Sequence, residues 1–205
     1  MALEVLKHAL VEEHMAVVRD VESGQASFKR SADILAMALA MEMSRDLPLA
    51  SSQVETPLET TEVKRVASNP ILIPILRAGL SMLEPFRTIL PESPVGFIGQ
   101  ERDEETAEAH TYYFKSPSFE GKTVYLLDPM LATGGSAIGA LERIYASNPA
   151  AVKFACVVAA PEGVKAVEER FPDLKIIACA LDRCLNEKAY ICPGLGDFGD
   201  RLMGT

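Results

Sequence analysis

Asp128 stands a few residues before the run Thr133-Gly134-Gly135-Ser136. Those residue types at that spacing suit the binding of a phosphate monoester. Amides at the start of a helix point outward without an intrahelical acceptor, and the helix dipole favours an anion there. Gly134 and Gly135 permit close backbone approach, and Thr133 and Ser136 add hydroxyl donors. A carboxylate at position 128 can accept hydrogen bonds from vicinal hydroxyls, so the combination suits a sugar phosphate. The loop lacks the lysine of a nucleotide P-loop and is not GxGxxG.

The elements that must hold this loop are legible around it. Thr123 to Leu127 is a short β-branched and aliphatic run that predicts a buried parallel strand. Ala137, Ile138, Leu141, Ile144 and Tyr145 recur at helical spacing after it. ILIPIL, residues 71 to 76, predicts a central strand despite Pro74, which removes a ladder donor. It ends in Arg77-Ala78-Gly79 and feeds a helix through Leu80, Met82, Leu83 and Phe86. Pro94 to Gln100, Val152 to Ala159 and Leu174 to Ala180 predict further strands, with a helix over Pro161 to Phe171 opened by its proline. Strand and helix alternate from 71 to 180, which specifies an α/β fold around a mostly parallel sheet flanked by helices. Ligands of such sheets bind at the carboxyl ends of the strands.

Outside that unit, residues 1 to 46 predict helix, broken near Ser23-Gly24, with a largely buried second helix over Ser27 to Arg45. Its methionines suit a core or a subunit contact. Residues 51 to 66 predict a β-hairpin. Residues 101 to 117 are charged, then aromatic at Tyr112-Tyr113-Phe114, and read as an extended arm. The tail from Ala189 mixes glycines with Tyr190, Ile191, Leu195, Phe198, Leu202 and Met203. Glycine-rich backbone beside large apolar residues suits a pocket in which N–H and C=O groups meet the edge of a flat heterocycle. A mismatched base would leave buried polar groups unpaired there.

Composition bounds the function. A chain of 205 residues predicts one domain over residues 1–205, with 48% hydrophobic and 24% charged residues, as in ordinary globular proteins. Its net charge of −9 argues against a nucleic-acid or anionic-membrane surface. No apolar run is long enough for a bilayer, and the N-terminal stretch does not read as a signal peptide. Cys156 and Cys179 lie in apolar runs, while Cys184 and Cys192 lack metal-ligand spacing. Reduced thiols in a cytoplasmic setting are the expectation.

LLDPMLATGGSA resembles the 5-phosphoribosyl 1-pyrophosphate (PRPP) loop of phosphoribosyltransferases, and Asp128-Pro129 in place of two acids is the form of the uracil phosphoribosyltransferase family. The tail Tyr-Ile-x-Pro-Gly-Leu-Gly-Asp-x-Gly-Asp-Arg is similar to the uracil-binding segment of that family. Ile-Leu-Arg-Ala-Gly-Leu at 75 to 80 and Arg-Asp-Glu-Glu-Thr at 102 to 106 resemble it in matching order. The resemblance implies the phosphoribosyltransferase fold, and transfer of the phosphoribosyl group of PRPP to N1 of uracil, giving UMP and pyrophosphate.

It also implies roles. Asp128 would accept the ribose hydroxyls. Pro129, Met130, Leu131, Ala132, Thr133, Gly134, Gly135 and Ser136 would form the PRPP loop, with 130 to 136 on the 5′-phosphate. Arg77 and Arg102 would hold the pyrophosphate, Arg102 from the arm. Asp197 would lie between the substrates, and Arg102 and Asp197 are the candidate catalytic residues. Ile191, Gly196, Asp197 and Phe198 would contact uracil, chiefly through main-chain atoms. Mg²⁺ would arrive on PRPP, with no direct protein ligand. A homodimer or higher homo-oligomer is expected, with no nucleic-acid or membrane partner. Position 198 is usually small in the family, Cys192 replaces an aliphatic residue, and Ala109-His110 and Glu13-His14 also depart from its pattern. Two other functions compete: a non-catalytic, RNA-binding regulator that kept the PRPP pocket, which the acidic balance disfavours, and a transferase for another base.

Overall fold

The computed structural model describes residues 3–102 and 109–205, with the side chains of 101–102 and 109–110 not described. In chain order the elements are β1 (Leu3–Val5), α1 (Ala9–Arg19), α2 (Gln25–Met43), β2 (Leu49–Glu55), β3 (Thr60–Val66), β4 (Ile71–Leu76) and α3 (Leu80–Ile89). Next come β5 (Phe97–Arg102), β6 (Ala109–Lys115), β7 (Thr123–Leu127), β8 (Met130–Leu131), α4 (Gly135–Tyr145), β9 (Ala151–Ala159) and α5 (Pro161–Arg170). The chain closes with β10 (Lys175–Leu181), β11 (Cys184–Leu185), β12 (Ile191–Cys192) and α6 (Phe198–Met203).

The main sheet runs β1-β10-β9-β7-β4-β5-β6, with β8 paired beside β9. Every neighbour pair along it is parallel except β5–β6. It is an α/β fold with a mostly parallel sheet, as expected. Alternation along the strands assigns the two faces. Leu72, Tyr125, Leu127, Ala155, Val157, Ile177 and Cys179 pack on the face that α1, α2, α3 and α6 cover. Ile71, Ile73, Val124, Leu126, Phe154, Cys156, Ile176 and Ala178 pack on the opposite face with residues of α4 and α5. That period of two is what a strand buried on both sides requires. Pro74 is the last residue of β4 paired with β7, so its missing amide falls at a ladder end.

The first described residues are not helical. Leu3–Val5 forms an edge strand parallel to β10, with Leu3 opposite Ile176. The leucine spacing imitates a helical stripe, but the open edge of β10 supplies a hydrogen-bonding partner. Helix begins only at Ala9, after the His8 side chain caps it by accepting from the Leu10 amide. Element boundaries also shift. The buried helix runs Gln25–Met43, the hairpin starts at Leu49, and the strand expected from Pro94 starts at Phe97. The described part of the arm is the β5–β6 hairpin, in which Tyr112 and Tyr113 are exposed and Phe114 packs edge-on against Phe119. Residues 103 to 108 of the expected arm lie outside the described residues.

At the sheet's opposite end, Lys153 of β9 closes the C-terminus of α2. Its buried ammonium donates to the Met43 carbonyl at 2.8 Å and pairs with Asp46, and the Tyr125 hydroxyl donates to the same carbonyl at 2.6 Å. Two donors, one of them a cation, thus satisfy the negative end of a buried helix.

Candidate active site

The parallel strands β4, β5, β7, β9 and β10 bring their carboxyl ends to one edge of the sheet, and the predicted site residues follow those ends. Arg77 follows β4 and is exposed, and Asp128 follows β7 and is half-buried. Because β4 and β7 are neighbours, the two turns adjoin. Gly79 makes this possible: a Cβ there would lie 2.3 Å from the Leu127 carbonyl oxygen. Arg102 is the last residue of β5 at the same edge, and its side chain lies outside the described ones.

After Asp128 the chain turns along the end of β9. The Pro129 carbonyl accepts from Val157 and Val158 at 2.8 and 3.0 Å, and the Leu131 carbonyl accepts from Ala160 at 2.8 Å. These bonds fix the loop before its glycines. Gly134 then caps α4 with φ +86°, in the left-handed region that glycine accommodates. The first intrahelical bond runs from Ile138 N–H to the Gly134 carbonyl. The amides of Gly135, Ser136 and Ala137 precede it and have no acceptor within the helix. Those three residues line a cavity of about 70 Å³ together with Asp128, Met130, Leu131, Ala132, Thr133 and Gly134. The structure therefore gathers Asp128 and Met130 to Ser136 around one small polar cavity at a helix N-terminus. Burial pushes the Asp128 carboxyl up to about 7, and a hydrogen bond from the Met130 backbone opposes the shift.

The tail is held by a network that sequence reasoning missed. Asp182 follows β10 with its side chain only 4% exposed. Its carboxylate accepts from both Nη atoms of Arg19 and from the Gly194 amide at 2.8 Å. Arg19 also donates to the Gly194 carbonyl at 2.7 Å. Arg201 donates to the carbonyls of Leu195 at 3.0 Å and Asp20 at 2.6 Å, and to that of Val18. Two arginines thus tie the glycine-rich segment to the end of α1. An acid at the end of a strand, as at Asp128, was the available signal for Asp182. Arg19 has no local signature.

Asp197 and Phe198 differ in direction. Asp197 is exposed and caps α6, with Oδ1 accepting from the Asp200 amide at 2.9 Å. Phe198 is buried, and its ring lies edge-on to Phe28 of α2 with centroids 5.2 Å apart. The large side chain at 198 therefore fills the core. Ile191 is buried in β12, and Gly196 is exposed.

The first turn of α5 joins the two halves of the site. Gly163 lies against the PRPP-type loop, where an added Cβ would be 2.3 Å from the Ala132 carbonyl oxygen. Its neighbour Glu162 accepts from the Leu185 amide at 2.9 Å and so anchors the β11–β12 hairpin that carries Ile191.

Comparison with known proteins agrees with this architecture. A family model described as uracil phosphoribosyltransferase matches residues 5–205. Proteins named uracil phosphoribosyltransferase from Limosilactobacillus fermentum and Ligilactobacillus salivarius are 46% and 44% identical, each over 98% of both chains. A solved structure from Aquifex aeolicus superposes with TM-score 0.92 at 39% identity, covering 98% of this chain and 97% of its own. A hypoxanthine phosphoribosyltransferase from Trypanosoma cruzi shares the fold alone, with TM-score 0.54 at 14% identity over 77% of this chain and 76% of its own. With the sheet, the phosphate-type loop and the glycine-rich tail in place, the chain belongs to the uracil phosphoribosyltransferase family.

Proposed function

We propose that this chain, acting as one domain, transfers the phosphoribosyl group of PRPP to N1 of uracil, releasing pyrophosphate and forming UMP. The observation that carries this is the juxtaposition at one sheet edge of an amide-lined cavity beside Asp128 and a backbone-built tail held by Asp182. In this mechanism the amides of Gly135 to Ala137 and the loop from Pro129 to Ser136 bind the 5′-phosphate. Asp128 accepts the ribose hydroxyls. Arg77 and Arg102 neutralise the pyrophosphate as it departs, where a preformed positive charge is worth most. Main-chain groups of Ile191, Gly196 and Phe198 read the uracil edge and hold N1 beneath C1 of the ribose. Asp197, fixed by its capping bond, faces both substrates and orients them.

Mg²⁺ would come bound to PRPP rather than to a protein side chain, and would supply charge neutralisation to the departing pyrophosphate beside Arg77 and Arg102. The β5–β6 hairpin covers the reacting centre and excludes water that would hydrolyse PRPP. With the Phe198 ring turned into the core, the pocket keeps room for a pyrimidine. Exposed Leu49, Leu58 and Val66 on the β2–β3 hairpin suit a subunit contact in a homodimer or larger homo-oligomer. Among the described residues no helix is long and apolar enough to cross a membrane. A cytoplasmic setting, where thiols stay reduced, completes this reading.

The direct test mixes the purified protein with PRPP, Mg²⁺ and, in separate reactions, uracil, cytosine, orotate and hypoxanthine. UMP from uracil alone is expected. Product from another base, or none from any, overturns the assignment. A salt-sensitive RNA complex from a protein without transferase activity would instead identify a regulator.

A further inference from the structure

Cys184 and Cys192 stand directly opposite each other in the antiparallel β11–β12 pair. Asn186 N–H donates to the Tyr190 carbonyl at 2.9 Å. With 185/191 thereby the widely spaced register, 184/192 is the closely bonded one, and the Arg183 amide also donates to the Cys192 carbonyl at 3.0 Å. Residues at such a register have Cα atoms about 5.5 Å apart, and their side chains leave the same face of the ladder. That separation falls inside the window of roughly 4.4–6.8 Å that a disulfide spans. Both cysteines are free and half-buried, so a small reagent can reach them. Cys156 and Cys179 are also free but lie inside the two cores.

We propose that Cys184 and Cys192 form a reversible thiol-oxidation site that controls base binding. The control rests on the reading of residues 191 to 198 as the uracil-binding segment. The oxidant is a low-molecular-weight disulfide. The sulfur of one cysteine, as thiolate, attacks a sulfur of that disulfide, whose S–S bond breaks and whose other half leaves and takes up a proton. The second cysteine then attacks the protein sulfur of the mixed disulfide and releases the remaining half as a thiol. The protein loses two electrons and two protons, and one small disulfide becomes two small thiols.

Closing the bond has a mechanical consequence. Opposite Cβ atoms in a ladder stand about 4.5–5.5 Å apart, whereas a disulfide brings them to about 3.8 Å. The strands must draw together. β11 is held to α5 by Glu162, and Gly194 is held to α1 and β10 by Arg19 and Asp182. The displacement is therefore taken up between Ile191 and Gly194. A main-chain pocket works only at fixed hydrogen-bond spacing, so uracil binding weakens. The phosphate cavity lies on a different loop and keeps its shape.

The test treats the full chain with oxidised glutathione, alkylates the remaining thiols, and maps peptides without reduction. Kinetics with uracil and PRPP are measured before oxidation, after it, and after dithiothreitol, for the wild-type chain and for Cys184→Ser. The expected result is an intramolecular 184–192 link and a KM for uracil raised about tenfold. The KM for PRPP should hold, dithiothreitol should reverse the change, and Cys184→Ser should ignore the oxidant. A glutathione adduct without the link, a link between two chains, or a link that leaves the kinetics unchanged would overturn the proposal. The link is read by mass and does not depend on turnover. A linked protein that makes no UMP even when reduced therefore removes the uracil assignment and leaves the oxidation site standing.

Discussion

Asp182 accepts from Arg19 at 2.9 and 2.5 Å, and the two residues hold Gly194 between them through its amide and its carbonyl. The pair sits beneath the segment proposed to read the base, and on that reading it is a positioning device rather than a group that touches substrate. Arg19→Ala leaves the buried Asp182 carboxylate without its cation, a change that costs about 3–5 kcal/mol in comparable pairs. We expect the KM for uracil to rise at least tenfold, with the KM for PRPP nearly unchanged and Arg19→Lys recovering part of the loss. Equal increases in both KM values would reduce the pair to a purely structural role.

Asp128 carries a pH signature. Burial raises its carboxyl to about 7 from an ordinary 3.8. The folded free protein therefore holds this proton more tightly than the unfolded chain does, and its contribution to stability is full below 3.8 and lost as pH rises through about 7. Asp128→Asn, which cannot ionise, should be as stable as the wild-type chain near pH 3 and more stable above neutrality. One pKa unit corresponds to about 1.4 kcal/mol, and partial solvent access brings the expected gain to about 1–3 kcal/mol. Chemical denaturation across this range reads it, and a constant difference at all pH values would contradict the assignment. The same variant should raise the KM for PRPP.

Gly163→Ala tests the junction at α5. Its methyl group would meet the Ala132 carbonyl at 2.3 Å, a contact between backbones that only movement of the loop can relieve. The KM for PRPP should rise about tenfold or more, with a smaller effect on uracil. Titration of the purified variant with PRPP, followed by its thermal midpoint, checks the loss without turnover.

Lys153→Met removes the cation at the end of α2 and keeps most of the side-chain volume. The cost should be about 1–3 kcal/mol in chemical denaturation, and kcat should hold because the site lies at the other end of the strands. The hydrogen bond and charge of Lys153 hold the Asp46 carboxyl below its ordinary 3.8. That part of the stability is present above pH 3.8 and lost as pH falls below it. The acid limb of the wild-type stability curve should flatten in the variant.

Arg102→Ala tests the arm. Turnover should fall about a hundredfold while uracil binding persists, and unchanged turnover would remove the arm from the reaction.

The parallel sheet, the two loops at its edge and the glycine-rich tail were legible in the order of the residues. Each has a local signature: apolar alternation or an unbroken run for the strands, and Asp128 with its paired glycines for the cradle. The tertiary structure alone decided what joins residues far apart in the chain. Arg19 and Asp182 are separated by 163 positions, and no local pattern announces such a pair. Leu3–Val5 is a strand only because β10 offers it an edge. The direction of the Phe198 ring was set by Phe28 of α2, and the need for glycine at 163 by the carbonyl of Ala132. Local hydrogen bonding and periodicity are written in neighbouring residues. Long-range packing and charge pairing exist only once the chain has closed on itself.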